Sequence, residues 1–554
     1  MAEPVYTFSV ELETGSFTDL TTRVERGSWG QAIVDIFHAP VVGNAMFELS
    51  NDAGDLGTRV NSSFQPGRAM QLTTVCSGVT YALFYGKITN ITARSQLGAR
   101  TTIVEAVDDW DRLQEVKFTT RLFSGTAVQS LWTELMSASS VRSFQVDTNI
   151  ADACGYAWYH DHAAPAALHE IAMAGNYQVL VDGNGTYQLR GRNWSLFDAA
   201  STANFITASW ALDFRSGMAR ETIFNRVRVL GEQRVLTTDL CTVAYLPPET
   251  PISIPASTAY GFWFDYYDPA MLSGNDTPCG SLVSPVASGD WYTAANSDGS
   301  GTDMTSGFTL TTSLFAASAV ATFTNNTASG AYLTRAQLRG YPLRLASNIV
   351  RQVDITSSQT RFGLRALTIQ NRLLQWNDYI GSLATHVASD RKDGMHEAQA
   401  TLVNRFPVQY ENSGLGKVVG VEDYFSGQPT TWRVRAMDHT LEFTDGLKHT
   451  TSYQLDSPQG AWGWGKPDDY ITYEYTFSYI PYSLLNMELS DLIAAMLVIY
   501  SEGGAGQQWC GTHYGTPSSV SFDYDTYVWV MHMDCLPDGG SADSNFNFTL
   551  GNHK

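Results

Sequence analysis

His160, Asp161 and His162, followed by His169 and Glu170, set imidazoles beside carboxylates, a composition that can ligate a metal or relay protons. On a strand His160 and His162 share a face, but a third ligand has to come from the helix carrying His169 and Glu170, and nothing in the spacing fixes that meeting. Solvated loop and helix-start histidines are the ordinary alternative. Cys510-Gly-Thr-His513 and His532-Met-Asp-Cys535, with eighteen residues between the halves, could enclose a tetrahedral zinc, Gly511 favouring the tight knuckle. His532 ends an alternating strand, where residues three apart face opposite sides, so Cys535 needs a break in that strand; a simple Cys510–Cys535 proximity or two unrelated thiols weigh more. Asp108-Asp109 and Asp468-Asp469 are paired carboxylates in a chain full of acids, and neither pair comes with a second element that tunes its pKa. GxSxG, GxGxxG, P-loop and HExxH motifs are missing. The aromatic crowd Trp462, Trp464, Tyr470, Tyr473, Tyr475, Phe477, Tyr479 and Tyr482 suits a sugar-stacking platform or a packed sheet core. No catalytic, cofactor-binding or metal residue is assigned, and no cofactor is expected.

The elements that must position these groups are mostly strands. Tyr6, Phe8, Val10 and Leu12 alternate with Thr, Ser and Glu, which puts all four on one face. The alternation recurs in Ala45-Phe47-Leu49, Met70-Leu72-Thr74, Tyr81-Leu83-Tyr85 and Thr102 to Val107, and predicts a barrel or sandwich up to residue 117. The period then changes. Thr126 is suited to cap a helix with Val128, Leu131, Trp132 and Leu135 on one face. A second helix runs from Pro165 to Gly175, the latter placed for the left-handed C-terminal position, and Asp182-Gly183-Asn184-Gly185 marks a hairpin. Residues 118–204 therefore read as a small α/β unit. Strands resume at 205, with Ile223 to Val229 the clearest; Ser288 to Gly307 is a polar loop or peripheral hairpin, Asn377 to Ala388 a helix, and Trp432 to Met437 a returning strand. The chain after 456 is a separate aromatic, β-rich module with a helix after Ser483 and an alternating strand through Phe522, Tyr524, Tyr527, Trp529 and Met531.

The 554 residues are 44% apolar, 12% aromatic and only 16% charged, which predicts large cores, and the 46 glycines favour sheets and turns over helical bundles. Fifty-five acids oppose 34 bases for a net charge of -21, and only seven bases are Lys. Such a chain neutralises few phosphates, so sequence-specific nucleic-acid binding is not expected. Glu3, Glu11 and Glu13 precede the first base, Arg23, so no signal peptide is expected. The longest apolar run, Leu492 to Tyr500, is about half a bilayer span, and no transmembrane segment is expected. The six cysteines lie far apart and read as reduced thiols.

Val10-Glu11-Leu12-Glu13-Thr14-Gly15, Asp19 to Val24, Ala45 to Asn51, Pro66-Gly67-Arg68 and Leu83 to Ile88 follow one another near the start; Gly125-Thr126-Ala127, Val179 to Thr186 and Ile223 to Val227 come in the middle; then Leu338-Arg339-Gly340, Ser357 to Gly363 and Tyr379 to Ala388. In this order the segments resemble the tail hub proteins of tailed bacteriophages, the baseplate hub or minor tail family. The likeness covers residues 1–455. It implies a mainly β fold with small α/β insertions and two tail-tube-like β-barrels: a first barrel at 1–117, the α/β insertion at 118–204, a second barrel with a peripheral insertion at 205–330, completing strands and a helix at 331–455, and the C-terminal module at 456–554. It further implies a non-enzymatic homotrimer in the virion tail tip, assembled in the host cytoplasm. Three chains with two barrels each would match a hexameric tail tube or distal tail protein on one face and a central fibre, spike or receptor-binding protein on the other, with the tape measure protein as a further partner and DNA ejected through the ring. An acidic channel wall is the expectation that follows from the net charge. The alternatives are a glycan or cell-wall hydrolase acting through 456–554, which needs two carboxyl groups ~5–10 Å apart, and a free sugar-binding β-protein.

Overall fold

The computed structural model describes residues 3–456 apart from short stretches, the longest at 195–204, and beyond them residues 471–477, 515–523 and 528–535. The protein is mainly β, with 54% strand and 16% helix. The first sheet is built from β1 (Val5–Glu13), β2 (Ser16–Asp19), β3 (Val24–Ala32), β4 (Asn44–Ser50), β5 (Ala69–Cys76), β6 (Val79–Gln96) and β7 (Ala99–Val107). Alternation does here what it predicts for Phe8, Val10, Phe47, Leu49, Met70, Leu72 and Val104, all buried in one core; in β6 a bulge between Ala82 and Phe84 shifts the phase, so that Phe84 rather than the expected Tyr85 joins that core. Each such side chain contributes ~1.5–3 kcal/mol on leaving water. Gly27 lies so close over the Phe47 ring that a Cβ there would overlap it.

A second set of strands continues this sheet: β8 (Phe205–Ile206), β9 (Ala211–Met218), β10 (His396–Val403), β11 (Val418–Glu422), β12 (Pro429–Glu442) and β13 (Lys448–Asp456). The spatial order β3-β4-β7-β6-β5-β1 of the first set is repeated as β9-β10-β13-β12-β11-β8 in the second, in the same chain order. The repeat extends to single residues. A bulge between Val24 and Arg26 against β4 is matched by one between Ala211 and Asp213 against β10. A bulge between Ile88 and Asn90 against β7 is matched by one between Val434 and Ala436 against β13. Asn44 pairs with Val107 in one set, and Glu397 with Asp456 in the other. The first strand is the exception: β1 runs antiparallel to β5, while β8 runs parallel to β11. The sets join where β3 pairs antiparallel with β12, through Gly30↔Asp438, Trp29↔His439 and Ser28↔Thr440, making one thirteen-stranded sheet. Its hydrogen-bonded path among the described residues is open from β9 to β2, with no closed ring.

Two units are set into this framework. The first follows β7 and holds α1 (Asp109–Gln114), α2 (Val128–Ala138), α3 (Ala164–Gly175) and the expected hairpin Gln178–Val181 with Thr186–Arg190. Val128, Leu131, Trp132 and Leu135 of α2 are buried as their spacing predicts. The cap is Ala127 rather than Thr126, whose hydroxyl instead donates to the Ser124 carbonyl. Pro165 stands in the first turn of α3, but the left-handed residue is Asn176 (φ 52°, ψ 41°), one position beyond Gly175. The second unit lies between β9 and β10. Its strands, which the sequence reading divided between 205–330 and 331–455, pair with one another: a 24-residue strand Ala331–Asp354 organises a seven-stranded sheet, beside a three-stranded sheet of Ala259–Asp265, Phe308–Leu314 and Ser318–Asn325. Helix α4 (Asn377–Arg391) buries Ile380, Leu383, Ala384 and Val387 against it. After β13 the described segments Ile471–Phe477, Gly515–Asp523 and Val528–Cys535 form an antiparallel three-stranded sheet.

Candidate functional site

The candidate histidine group at 160–170 is dispersed by the fold. Strand pairing turns His162 to Glu170 (Nε2 to Oε1 3.5 Å), and Glu170 is held by Arg372 at 3.1 Å. His160 faces the three-stranded sheet, with Asp265 at 3.7 Å and its ring near Trp263, while Asp161 pairs with Lys117 at 2.7 Å. Burial lowers the pKa of both His162 and His169. No group of three or more His, Cys, Asp or Glu able to hold a metal occurs among the described residues. Of the CxxH and HxxC pair, Cys510 and His513 lie outside the described residues; His532 and Cys535 lie on the last strand, paired through the backbone with Glu474 and Ile471. Asp468-Asp469, most of the 462–482 aromatics and the helix after Ser483 also lie outside the described residues.

Asp108 and Asp109 do separate in role. Asp108 caps α1 by accepting the Trp110 N–H at 3.0 Å, and burial pushes its pKa up to about 7. Burial raises Asp109 as well. Asp108 thus anchors the helix start, while one oxygen of the buried Asp109 carboxyl has no hydrogen-bond partner.

The feature with the widest reach is the thirteen-stranded sheet itself. On the face turned from the core, its rows are rich in hydroxyls and amides: Ser28, Asn44, Asn90, Thr92, Gln399, Thr401, Thr440, Thr450, Ser452 and Gln454. Charges of both signs stand in these rows, among them the acids Glu48, Glu105, Asp213, Glu397, Asp438 and Glu442 and the bases Arg26, Lys87, Arg94, Arg215, Arg435 and Lys448. Several are already paired: Arg26 with Glu48 at 2.5 Å, Arg215 with Asp213 at 2.8 Å, Lys448 with Glu442 at 3.2 Å. Two shallow grooves flank Arg435 on this face, one of about 330 Å³ beside His38, Asp438 and Gln454, the other of about 560 Å³ beside Arg215, Glu397 and Gln399.

The joint between β3 and β12 is fixed by two buried polar clusters that sequence reasoning missed. In the first, His439 stacks on Trp29 at 4.7 Å. His439 Nδ1 lies 3.1 Å from His449 Nε2 and 3.0 Å from the Thr451 hydroxyl, and His449 Nδ1 lies 3.0 Å from the Tyr6 hydroxyl and 3.1 Å from that of Tyr410. In a neutral arrangement one tyrosine hydroxyl donates to His449 Nδ1, the other donates to the first hydroxyl's oxygen, and His449 Nε2–H donates to His439 Nδ1. Burial lowers His439 to about 3 and His449 well below its ordinary value. In the second cluster Arg433 bonds Asp456 (Nε to Oδ1 2.8 Å) and Asp35 (3.1 Å), all three buried. Burial alone would raise the Asp35 carboxyl, but the His38 ring at 2.7 Å and the Arg433 guanidinium hold it well below the usual carboxylate range. No period announces either cluster; on an alternating strand Arg433 and Arg435 read alike, as solvent-facing bases.

No family model and no curated protein matches the sequence. Among solved structures, a tail protein from Neisseria meningitidis MC58 is similar with 11% identity and a TM-score of 0.48, covering 82% of this chain and 98% of that one. The 43 kDa tail protein of prophage MuSo2 from Shewanella oneidensis is similar with 9% identity and a TM-score of 0.46, covering 82% and 99%. Prophage tail protein gp18 from Listeria monocytogenes EGD-e is similar with 8% identity and a TM-score of 0.40, covering 82% and 96%.

Proposed function

We propose that this chain is a structural tail hub of a tailed bacteriophage, a homotrimer that adapts a hexameric tube to a threefold tip. The observation that carries this reading is the repeated strand order, with matched bulges, of β3-β4-β7-β6-β5-β1 and β9-β10-β13-β12-β11-β8. A chain with two like units edge to edge is what a threefold ring needs in order to offer six similar surfaces to a sixfold partner. In this division the first unit is 3–107 and the second is 205–218 with 396–456. The α/β segment 109–190 and the unit 226–391 are then insertions available for contacts the sixfold partner does not make. The hydroxyl- and amide-rich sheet face, with several of its charges paired, suits a wall past which a polyanion travels without adhering. Tail tube, tape measure and central fibre proteins are the partners this role requires, and the role is non-enzymatic.

The test is the oligomeric state of the full chain by mass photometry, with class averages by electron microscopy. A threefold ring showing six similar lobes on one face is expected. A monomer across the concentration range, or a two-fold dimer, overturns the reading.

A further inference from the structure

The two repeats meet once inside the chain, and the same meeting has an unfilled half at each end of the pair. Internally, β12 residues 436–442 pair with β3 residues 26–32, so that Met437, His439 and Leu441 are buried against Gln31, Trp29 and Gly27. The matched bulges carry β12 onto β6, with Arg435 at Thr89, Asp438 at Thr92 and His439 at Ala93. They carry β3 onto β9, with Trp29 at Ser216, Gly30 at Gly217 and Arg26 at Asp213. Among the described residues, β6 from 90 to 96 pairs only with β7, and β9 pairs only with β10. Both edges are open: Thr92, Ala93, Arg94 and Ser95 are exposed, as are Arg215, Ser216, Gly217 and Met218.

We infer that a second copy of this chain lays its β9 antiparallel along β6, in the register Thr92↔Gly217, Ala93↔Ser216, Arg94↔Arg215 and Gln96↔Asp213, and so continues the sheet from copy to copy. This seam repeats the internal one and is head to tail, so it closes into a ring or runs on as a filament; only the number of copies rests on the hub reading. The side chains fit the register. A Cβ added at Gly217 would meet nothing within 4 Å. Arg94 stands opposite Arg215, a like-charge pair, and Asp213, already on Arg215 at 2.8 Å, sits diagonal to Arg94, where it offsets the repulsion between the two cations.

The internal seam also tells which pairs approach most closely. Ile33 N–H donates to the Arg435 carbonyl and Phe443 N–H to the Glu25 carbonyl, which makes Trp29–His439 a hydrogen-bonded pair and Gly30–Asp438 a non-hydrogen-bonded one with closer side chains. The counterpart of the latter is Gly217–Thr92. In the full-length chain, Thr92→Cys with Gly217→Cys is expected to give a reducible disulfide between copies under mild oxidation, seen as a ladder on non-reducing gels. The single variants and the displaced pair Thr92→Cys with Asp213→Cys are expected to give none. A trimer in solution whose in-register pair does not cross-link, or cross-links no better than the displaced pair, overturns the seam and leaves the hub reading standing. In-register cross-linking into a ring of another number supports the seam and overturns the three-copy hub. A monomer that forms no cross-link overturns both.

Discussion

Acid should loosen the joint between the two repeats before the rest of the molecule, and the buried histidine pair sets the size of the effect. An unfolded histidine takes a proton near pH 6.5, whereas burial holds His439 at about 3 and His449 well below its ordinary value. A base whose folded pKa is depressed stabilises the fold in full above its unfolded pKa. That contribution is then lost as pH falls from about 6.5 towards 3, because the unfolded chain binds protons the folded chain cannot. Each group gives a slope of ~1.4 kcal/mol per pH unit, so the pair costs about 4 kcal/mol between pH 7.5 and 5. Geometry offers no relief: the titratable groups facing the pair are Tyr6 and Tyr410, and protonating both rings would set N–H against N–H across 3.1 Å. Asp35 keeps its charge through this window, since its carboxyl lies below the usual range. The assay is hydrogen exchange by mass spectrometry, corrected for intrinsic rate, comparing peptides of β3, β12 and β13 with peptides of 308–325 as internal reference. Protection at the joint should fall between pH 7.5 and 5 while the reference holds, and His439→Asn should roughly halve the pH slope. Protection in β12 that is flat with pH, or that falls in step with 308–325, would refute the reasoning.

Arg433→Met strands the Asp35 and Asp456 carboxylates in a buried site and should cost ~3–5 kcal/mol in denaturant unfolding of the repeat pair; a loss below ~1 kcal/mol would show that the triad is dispensable. Asp108 has a raised folded pKa of about 7, so its contribution is complete below the unfolded value near 3.9 and is lost as pH rises through 7. Asp108→Asn keeps the cap and should remove up to ~4 kcal/mol of destabilisation at pH 8, read as a melting temperature that no longer falls between pH 5 and 8. Leu135→Ala empties a fully buried position in α2 and should cost ~2–5 kcal/mol, visible as an early transition of the α/β unit in calorimetry.

What the sequence made legible follows from what periodicity encodes. Period-two alternation announced Phe8, Phe47, Leu72 and Val104 as one core face, and period 3.6 announced α2 and α3, because burial of one face acts on every residue of an element. Caps were less legible: Thr126 and Gly175 have the right chemistry one residue away from the positions that took the roles, since a helix end is decided by packing as much as by the capping side chain. The identity of the second repeat, β8 to β13, was hidden because the segment 226–391 separates β9 from β10. Strand order is a property of pairing, and residues as distant as Ala211 and Leu402 carry no local sign of it. The histidine and arginine clusters at the joint were hidden for the same reason. Tyr6, Tyr410 and His449 become one network only when three remote segments meet.

The two seams also explain each other's composition. The internal joint is closed once, during folding, and can afford Trp29, His439 and Leu441 in its buried rows. The matching rows at the free ends are Ser216 against Ala93, and Phe214 against Ser95, flanked on the polar face by Arg94, Arg215 and Asp213. An edge that must stay soluble until its partner arrives cannot present a wide apolar ribbon, because such a strand pairs with whatever edge it meets. Small and charged residues keep the edge quiet and leave the register to the bulge positions and to the close approach at Gly217. Placing an aromatic there, as in Ala93→Trp, would give the edge the grease of the internal seam. The expected result is a chain that self-associates without regard to register, measured as light scattering of the freshly purified protein before any ring is formed. A variant that stays as monodisperse as the parent would mean that the composition of these rows has nothing to do with a waiting edge.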